Sequence, residues 1–292
     1  MNDSPILSAS GLAKRFGRRE VLSGLDLAVP RGCVLGLVGR NGAGKTTLLR
    51  CLLGLARADA GRCLAFGLPS WDMPDAAKAR LGYVAQKPDL PPWLTVRACC
   101  AYVGAFYPRW DANRVAALVQ RWELDPEQRV GRLSGGQAQA LAVVLALGHA
   151  PELLVLDEPA SALDPIARRR FLQTLAGEVA GGTTVVFSTH LTADLERVAD
   201  RIAILAQGRV VVHEGLDALR GRVRRLRCPA LGADSQPERW PGVVSVERQA
   251  DGVVLVCDGG HEAIAAQVVA LTGVPPAIDE LGLEDLVIGY QR

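Results

Sequence analysis

The chain has 292 residues, a formal net charge of +2 from 33 Lys+Arg and 31 Asp+Glu, and 49% hydrophobic against 22% charged residues. That balance builds a sizeable core, excludes a disordered chain and offers no global basic field to draw in nucleic acid. No apolar run approaches the ~18 residues of a bilayer span, and the opening MNDSPILSAS has an early acid and no apolar block, so neither a membrane helix nor a secretory signal is expected.

A chain of this length exceeds one ordinary domain, and its texture changes near residue 220. The expectation is a large domain over 1–220 and a smaller unit over 221–292. Residues 5–29 alternate loosely and predict two antiparallel strands joined around Gly17-Arg18-Arg19-Glu20, with Val21, Leu22, Leu25 and Leu27 apolar on the second. CVLGLVG at 33–39 is a continuous apolar run stopped by glycine, the pattern of a strand buried on both faces. GRNGAGKTT at 39–47 and the leucine-spaced TTLLRCLLGL follow, so strand, glycine loop and helix succeed one another as a P-loop requires.

After Tyr83-Val84-Ala85-Gln86, the Pro-rich KPDLPPW leads into a helical region at about 94–135. Thr95 is the expected N-cap of its first helix and Asp111 of its second, with Trp110 and Val115 at the N′ and N4 positions of a hydrophobic staple. LSGGQAQALAVVLAL at 133–147 is a Ser-Gly-Gly turn opening an apolar helix. The short apolar runs LLVLD (153–157), TTVVFST (183–189) and RIAILAQG (201–208) alternate with helices and predict a mainly parallel α/β core. Beyond about residue 220, two β-rich runs flank Asp251-Gly252 as a hairpin signal, and a helical EAIAAQVVALTG follows, giving a small α+β unit.

The chemistry begins in GRNGAGKTT. Gly39, Gly42 and Gly44 let the backbone close on phosphate oxygens, Lys45 reaches the β and γ phosphates, and the Thr46 hydroxyl suits Mg2+. Only Lys14, Lys45, Lys78 and Lys87 are lysines in a chain that otherwise uses arginine, so Lys45 marks a place that needs a compact point charge. In LLVLDE, Asp157 ends a buried strand at the carboxyl edge where ligands bind, and Glu158 follows it. The pair suits metal holding and activation of an attacking water, and it also suits simple capping of the next helix. Gln86 and His190 follow the β-rich YVAQ and FSTH, which brings them to the same sheet edge in a functional or a structural role. Ser134, Gly135 and Gly136 make a second anion-ready turn in a chain with one nucleotide cradle. Cys33, Cys51, Cys63, Cys99, Cys100, Cys228 and Cys257 show no metal-ligand spacing and read as free thiols.

With the P-loop, YVAQ, LSGGQ, LLVLDE, SALD and STH in this order, residues 5–225 resemble the ATP-binding subunits of ABC transporters. The resemblance implies an α/β P-loop NTPase fold: a RecA-like, mainly parallel sheet with an antiparallel β subdomain and an inserted helical subdomain, plus the small C-terminal α+β unit. It implies ATP and Mg2+ as ligands. Phe16 stacks on adenine, Gly39, Asn41, Gly42, Gly44, Lys45, Thr46 and Thr47 surround the phosphates, and Thr46, Gln86 and Asp157 serve the metal. Glu158 is the implied catalytic base, with His190 on the γ phosphate and Gln86 beside the metal or the water.

By the same resemblance Ser134, Gly135, Gly136 and Gln137 serve the nucleotide of an opposite subunit, and Asp164 lies at the dimer interface. A homodimer or a pairing with a paralogous ATPase subunit then encloses two ATP. The other implied partner is a separate transmembrane permease subunit linked through Gln86, with no nucleic acid and a cytoplasmic, peripheral place at the inner face of the membrane. FYPRWD (106–111) and GLEDLVIGY (282–290) resemble segments of bacterial subunits serving drug, antibiotic, peptide or lipid export. Phe16 stands where the family often has Tyr, which keeps the ring face. Ala138, Ala140 and Leu145 occupy positions where many members carry arginine, and Leu141, Val144 and Leu145 are expected in the core. A rival class is a soluble ABC-type ATPase acting on the ribosome or on metal-cluster assembly. KPDLPPWLT reads as a permease docking surface or a plain loop, and RGRVRRLR (220–227) as a lipid-facing or a solvated basic face.

Overall fold

The computed structural model describes residues 4–291, so the Met1-Asn2-Asp3 opening used in the signal argument lies outside the described residues. The chain forms two compact units, Met1–Val210 and Val211–Arg292. The division therefore comes ahead of the expected 220/221. The reason is local: helix Leu216–Arg222 runs straight into strand Val223–Cys228, and its Arg222 pairs with Asp258, so both belong with the second unit.

Among the described residues the first unit holds two sheets. One is ordered Arg19–Val29, Leu7–Phe16, Ala60–Ala65, Leu68–Pro69. Its first pair is antiparallel, and the partners Leu7↔Val29 and Phe16↔Arg19 leave Gly17-Arg18 as the turn. The other sheet runs, within this unit, Arg201–Ala206, Val34–Gly39, Thr184–Thr189, Leu153–Asp157, Leu81–Val84, and the strand Arg209–Gly215 at its edge straddles the division after Val210. From Arg201–Ala206 onward every neighbouring pair is parallel. Val34–Gly39, Leu153–Asp157 and Thr184–Thr189 are buried at every position, which is why each reads as an unbroken apolar run. Parallel strands share one carboxyl edge, so Gly39, Val84, Asp157 and Thr189 end together and deliver the P-loop, Gln86, Glu158 and His190 to one place.

The helical segment follows its caps. Thr95 Oγ1 accepts the Ala98 N–H at 3.2 Å at the start of helix Val96–Gly104, and Asp111 Oδ1 accepts Asn113 and Arg114 N–H groups at 2.9 and 3.0 Å ahead of helix Ala112–Arg121. Trp110 and Val115 close over Gly148, where an added Cβ would lie 2.5 Å from the indole and 2.7 Å from a Val115 methyl. Helix Gly135–Leu147 is buried from Gln139 to Leu147, with Leu141, Val144 and Leu145 in the core as expected. Just beyond it His149 is fully buried, its ring stacked on Tyr107 at a 4.0 Å centroid distance and its Nε2 3.1 Å from the Leu81 carbonyl oxygen.

The second unit is an antiparallel sheet in the order Val243–Gln249, Gly252–Asp258, Val223–Cys228, Ala277–Glu280. Leu226, Leu255 and Cys257 share a buried cluster with Ile264 and Val268 of helix His261–Thr272. The partners Gln249↔Gly252 place Ala250-Asp251 at the hairpin tip, one position ahead of the expected Asp251-Gly252. Gly252 is instead required by close approach, because a Cβ there would sit 2.3 Å from the Cys228 carbonyl oxygen. The arginines of the basic run are engaged inside the unit: Arg222 with Glu214 and Asp258, Arg225 with Asp285 at 2.8 Å, Arg227 with Asp279 at 2.9 Å. Ion pairing of this kind leaves the run without the unpaired charge that lipid contact would use.

Candidate functional site

Gly42 and Gly44 adopt φ of 81° and 107°, a region that a side chain disfavours, and a Cβ on Gly44 would meet a Leu22 methyl at 2.9 Å. The loop closes onto helix Lys45–Leu52, whose first turn carries no acidic residue. Its free N–H groups and positive end therefore face the cavity unopposed. Lys45 folds back, donating from Nζ to the Gly39 carbonyl at 2.8 Å and lying 3.2 Å from Glu158 Oε1. Around this loop is a cavity of about 390 Å³ that gathers Phe16, Asn41, Gly42, Gly44, Lys45, Thr46, Thr47, Gln86 and Glu158. Phe16 is exposed at its mouth, with the Lys14 ammonium 5.4 Å above the ring.

Behind the loop lie the two acids. Asp157 and Glu158 are 1% and 5% exposed. Ser188, from the next strand, donates to Asp157 Oδ1 at 2.7 Å and accepts the Glu158 N–H at 3.0 Å. Asp157 Oδ2 is buried without a hydrogen-bond partner. Glu158 has φ of 50°, the left-handed region that a non-glycine residue enters only when its surroundings hold it there. Here Ser188 takes its N–H and Ser161 Oγ donates to its carbonyl at 2.9 Å. His190 Nδ1 lies 2.6 Å from Glu158 Oε2. A neutral ring donating from Nδ1 keeps Nε2 as an acceptor, so donation to a phosphate requires a second proton or a turn of the ring.

The LSGGQ residues are elsewhere. Ser134, Gly135, Gly136, Gln137 and Asp164 line a separate cavity of about 490 Å³. Ser134 and Gln137 form a reciprocal capping box: Ser134 Oγ accepts the Gln137 N–H at 3.2 Å, and Gln137 Oε1 accepts the Ser134 N–H at 2.9 Å. Asp164 caps helix Pro165–Ala180, accepting the Ile166 and Ala167 N–H groups at 2.8 Å.

Several residues escaped the sequence reading. Arg19 and Arg40 line the P-loop cavity, although in the sequence Arg19 reads only as part of a turn. Gln139, 1% exposed on the LSGGQ helix, donates to the Ala85 carbonyl beside Gln86 at 3.3 Å. Ser188 sat inside the quoted FSTH, but its role depends on the Asp157↔Ser188 pairing, which no local pattern shows.

A buried strand, a glycine loop closing on a helix start and a neighbouring strand ending in two buried acids define a P-loop nucleoside-triphosphatase site. Residues 22–161 match the family described as ABC transporter. The chain is 33% identical over 305 aligned positions, 99% of its length and 92% of the other, to a daunorubicin resistance ATP-binding protein of Streptomyces coeruleorubidus. It is 38% identical over 212 positions, 70% and 69% of the two lengths, to a Nod factor export ATP-binding protein of Burkholderia lata. A solved ATP-binding subunit of an ABC transporter superposes with a TM-score of 0.69 at 28% identity, over 74% of this chain and 92% of that one. The chain belongs to the ABC transporter family, as an ATP-binding ATPase subunit.

Proposed function

We propose that the chain is the motor of an exporter: two copies, or one copy and a paralogous subunit, close around two ATP, hydrolysis reopens them, and a separate permease turns the cycle into transport. The observation that carries this reading is the separation of the two anion sites. The P-loop cavity and the LSGGQ cavity have no lining residue in common, so a nucleotide seated in the P-loop cavity is not lined by the LSGGQ residues of its own chain. A facing subunit supplies them. The names of the relatives, drug resistance and Nod factor export, support the outward direction.

In this reading the P-loop N–H groups and Lys45 hold the phosphates, Phe16 carries the base, and Glu158 accepts a proton from the attacking water. His190 orients the Glu158 carboxylate through Nδ1. Asp157, Thr46 and Gln86 fit Mg2+: all three offer oxygen, Thr46 and Gln86 line the cavity, and Asp157, behind it, keeps a buried oxygen with no hydrogen-bond partner. Bound there, Mg2+ supplies neutralising charge to the phosphates. No helix among the described residues is long and apolar enough to cross a membrane, so a peripheral place at the inner face comes from the permease. Trp93 is 71% exposed, and Tyr102 and Phe106, edge to face at 5.5 Å, are also exposed, which supports docking on this side.

The test uses the purified chain. Glu158→Gln should lower ATP turnover by about 100-fold or more and accumulate an ATP-dependent dimer on size-exclusion chromatography. Ser134→Arg should abolish that dimer while ATP still binds the P-loop. Full turnover in Glu158→Gln, or a dimer that survives Ser134→Arg, would sink the reading. Copurification with ribosomes in place of a membrane protein would favour the soluble rival.

A further inference from the structure

We infer that Ser188 is a positioning residue for the cation side of the site, fixing the Asp157 carboxylate through a single hydroxyl. The inference rests on the reading of Asp157 as the Mg2+-holding carboxylate.

A serine hydroxyl has one proton to give and lone pairs to receive, and an ionised carboxylate can only accept. At 2.7 Å from Asp157 Oδ1, Ser188 must therefore be the donor, and the Glu158 N–H at 3.0 Å fills its acceptor side. Ser188 is fully buried, so no solvent competes for either bond. Its place is set by the sheet: Ser188 is the residue paired with Asp157 across the two parallel strands. With Oδ1 committed, the carboxylate cannot turn about its terminal bond without losing a buried hydrogen bond. Oδ2, buried and unpartnered, is then the oxygen left for a cation.

The two acids depend on Ser188 unequally. The Glu158 N–H also reaches the Ser188 backbone carbonyl at 3.1 Å, a bond that survives any side-chain change. Removing the hydroxyl thus leaves the bend at Glu158 supported and takes from Asp157 the side-chain hydrogen bond that, among the described residues, sets its plane. The loss should fall on the metal and spare the nucleotide.

Mn2+ serves as the probe, its affinity read by electron paramagnetic resonance in the complex with a non-hydrolysable ATP analogue, beside analogue binding in EDTA. Ser188→Ala should weaken Mn2+ by about tenfold and leave metal-free nucleotide affinity within about twofold, while Ser188→Thr, which keeps the hydroxyl, should stay within about twofold on both. If Ser188→Ala is not recovered folded, Ser188→Cys, nearly isosteric with a weak donor, replaces it with the same expectation. Asp157→Asn separates the two readings. If it weakens Mn2+ and the Ser188 variants do not, positioning by Ser188 is wrong and the metal reading stands. If Asp157→Asn leaves Mn2+ affinity untouched, the metal reading fails and carries this inference with it. Equal losses of Mn2+ and of metal-free nucleotide in Ser188→Ala would mark a general structural role and overturn the inference as well.

Discussion

Lowering the pH from 7.5 to 4.5 should destabilise the ATPase unit in part through His149, and replacing that residue should remove its share of the loss. The ring is fully buried, gives its Nε2 proton to the Leu81 carbonyl at 3.1 Å and has no hydrogen-bond partner at Nδ1. A second proton would therefore sit in an apolar wall against Tyr107 with nothing to receive it. Burial pushes the imidazole from 6.5 down to about 4, opposed by the Leu81 carbonyl and reinforced by Arg109 and Arg114. In the unfolded chain the ring binds its proton near the ordinary value, so between those two values the unfolded state holds a proton that the fold refuses. Stability from this group is complete above pH ~6.5, falls as the pH drops, and levels off below about 4.

The gap between 6.5 and about 4 corresponds to a ceiling of about 3 kcal/mol, most of which is lost by pH ~4.5. Urea unfolding of the wild type and of His149→Gln at the two pH values measures it. The amide can still donate toward Leu81 and cannot titrate. Losses from carboxylates elsewhere are common to both proteins and cancel in the difference. His149→Gln should be less stable at pH 7.5, having lost the ring stack, yet should lose about 2–3 kcal/mol less on acidification. Equal slopes in the two proteins, or an NMR titration placing the His149 ring near its ordinary value, would refute the reasoning.

Gly148→Ala should lower the melting temperature of the ATPase unit through a loss of about 1–3 kcal/mol, because its Cβ meets indole and valine atoms that are themselves packed. Gly252→Ala should cost the upper part of that range in the second unit, since the obstacle at 2.3 Å is a backbone carbonyl, and hydrogen exchange in strand Gly252–Asp258 should accelerate. Arg222→Ala strips the partner of Glu214 and Asp258, but the guanidinium is 44% exposed and screened, so a loss of about 1 kcal/mol that shrinks in high salt is expected in denaturant unfolding. At Asp258 burial raises the carboxyl and the hydrogen bonds from Arg222 and Tyr290 outweigh it, so the net pKa is lowered. Its stabilisation is present above the ordinary carboxylate range and lost as the pH falls through the lowered value.

What the sequence made legible was local. Thr95 and Asp111 cap where a cap is expected because capping is settled within three residues of the cap. The P-loop was legible because strand, glycine loop and helix are contiguous. Ser188, His149 and Gly148 act across separations that only the folded sheet and helices bring to nothing. His149 reaches back to Leu81, and Gly148 fits under Trp110. Asp164 was assigned a place at a dimer interface from resemblance, and its visible work in one chain is a helix cap. The basic run at 220–227 stayed open between a lipid-facing and a solvated face for a related reason: apart from Glu214, its partners Asp258, Asp279 and Asp285 are distant in sequence.

The buried pair of Lys45 and Glu158, with side chains 7% and 6% exposed, decides which variants can isolate the chemistry. Each charge is kept out of water by the fold and compensated by the other, so deleting either leaves an uncompensated buried charge, a change that typically costs about 3–5 kcal/mol. A Lys45→Ala protein that fails to bind ATP would thus have lost a phosphate contact and part of its stability together. Glu158→Gln is milder. The amide keeps its size and its carbonyl oxygen can still accept from Lys45 or from His190, so the basicity and the charge are removed while a hydrogen-bond partner stays in place. The same pairing has a consequence for the resting chain. While Lys45 and His190 both hold Glu158, at 3.2 and 2.6 Å, one acceptor site on each carboxylate oxygen is engaged, and a water on the Oε1 side competes with the ammonium. A phosphate carries more charge than a carboxylate and competes for the same ammonium. On the proposed reading, in which Lys45 binds phosphate and Glu158 is the base, arriving nucleotide would draw Lys45 away from Glu158 and free that carboxylate in a single electrostatic exchange.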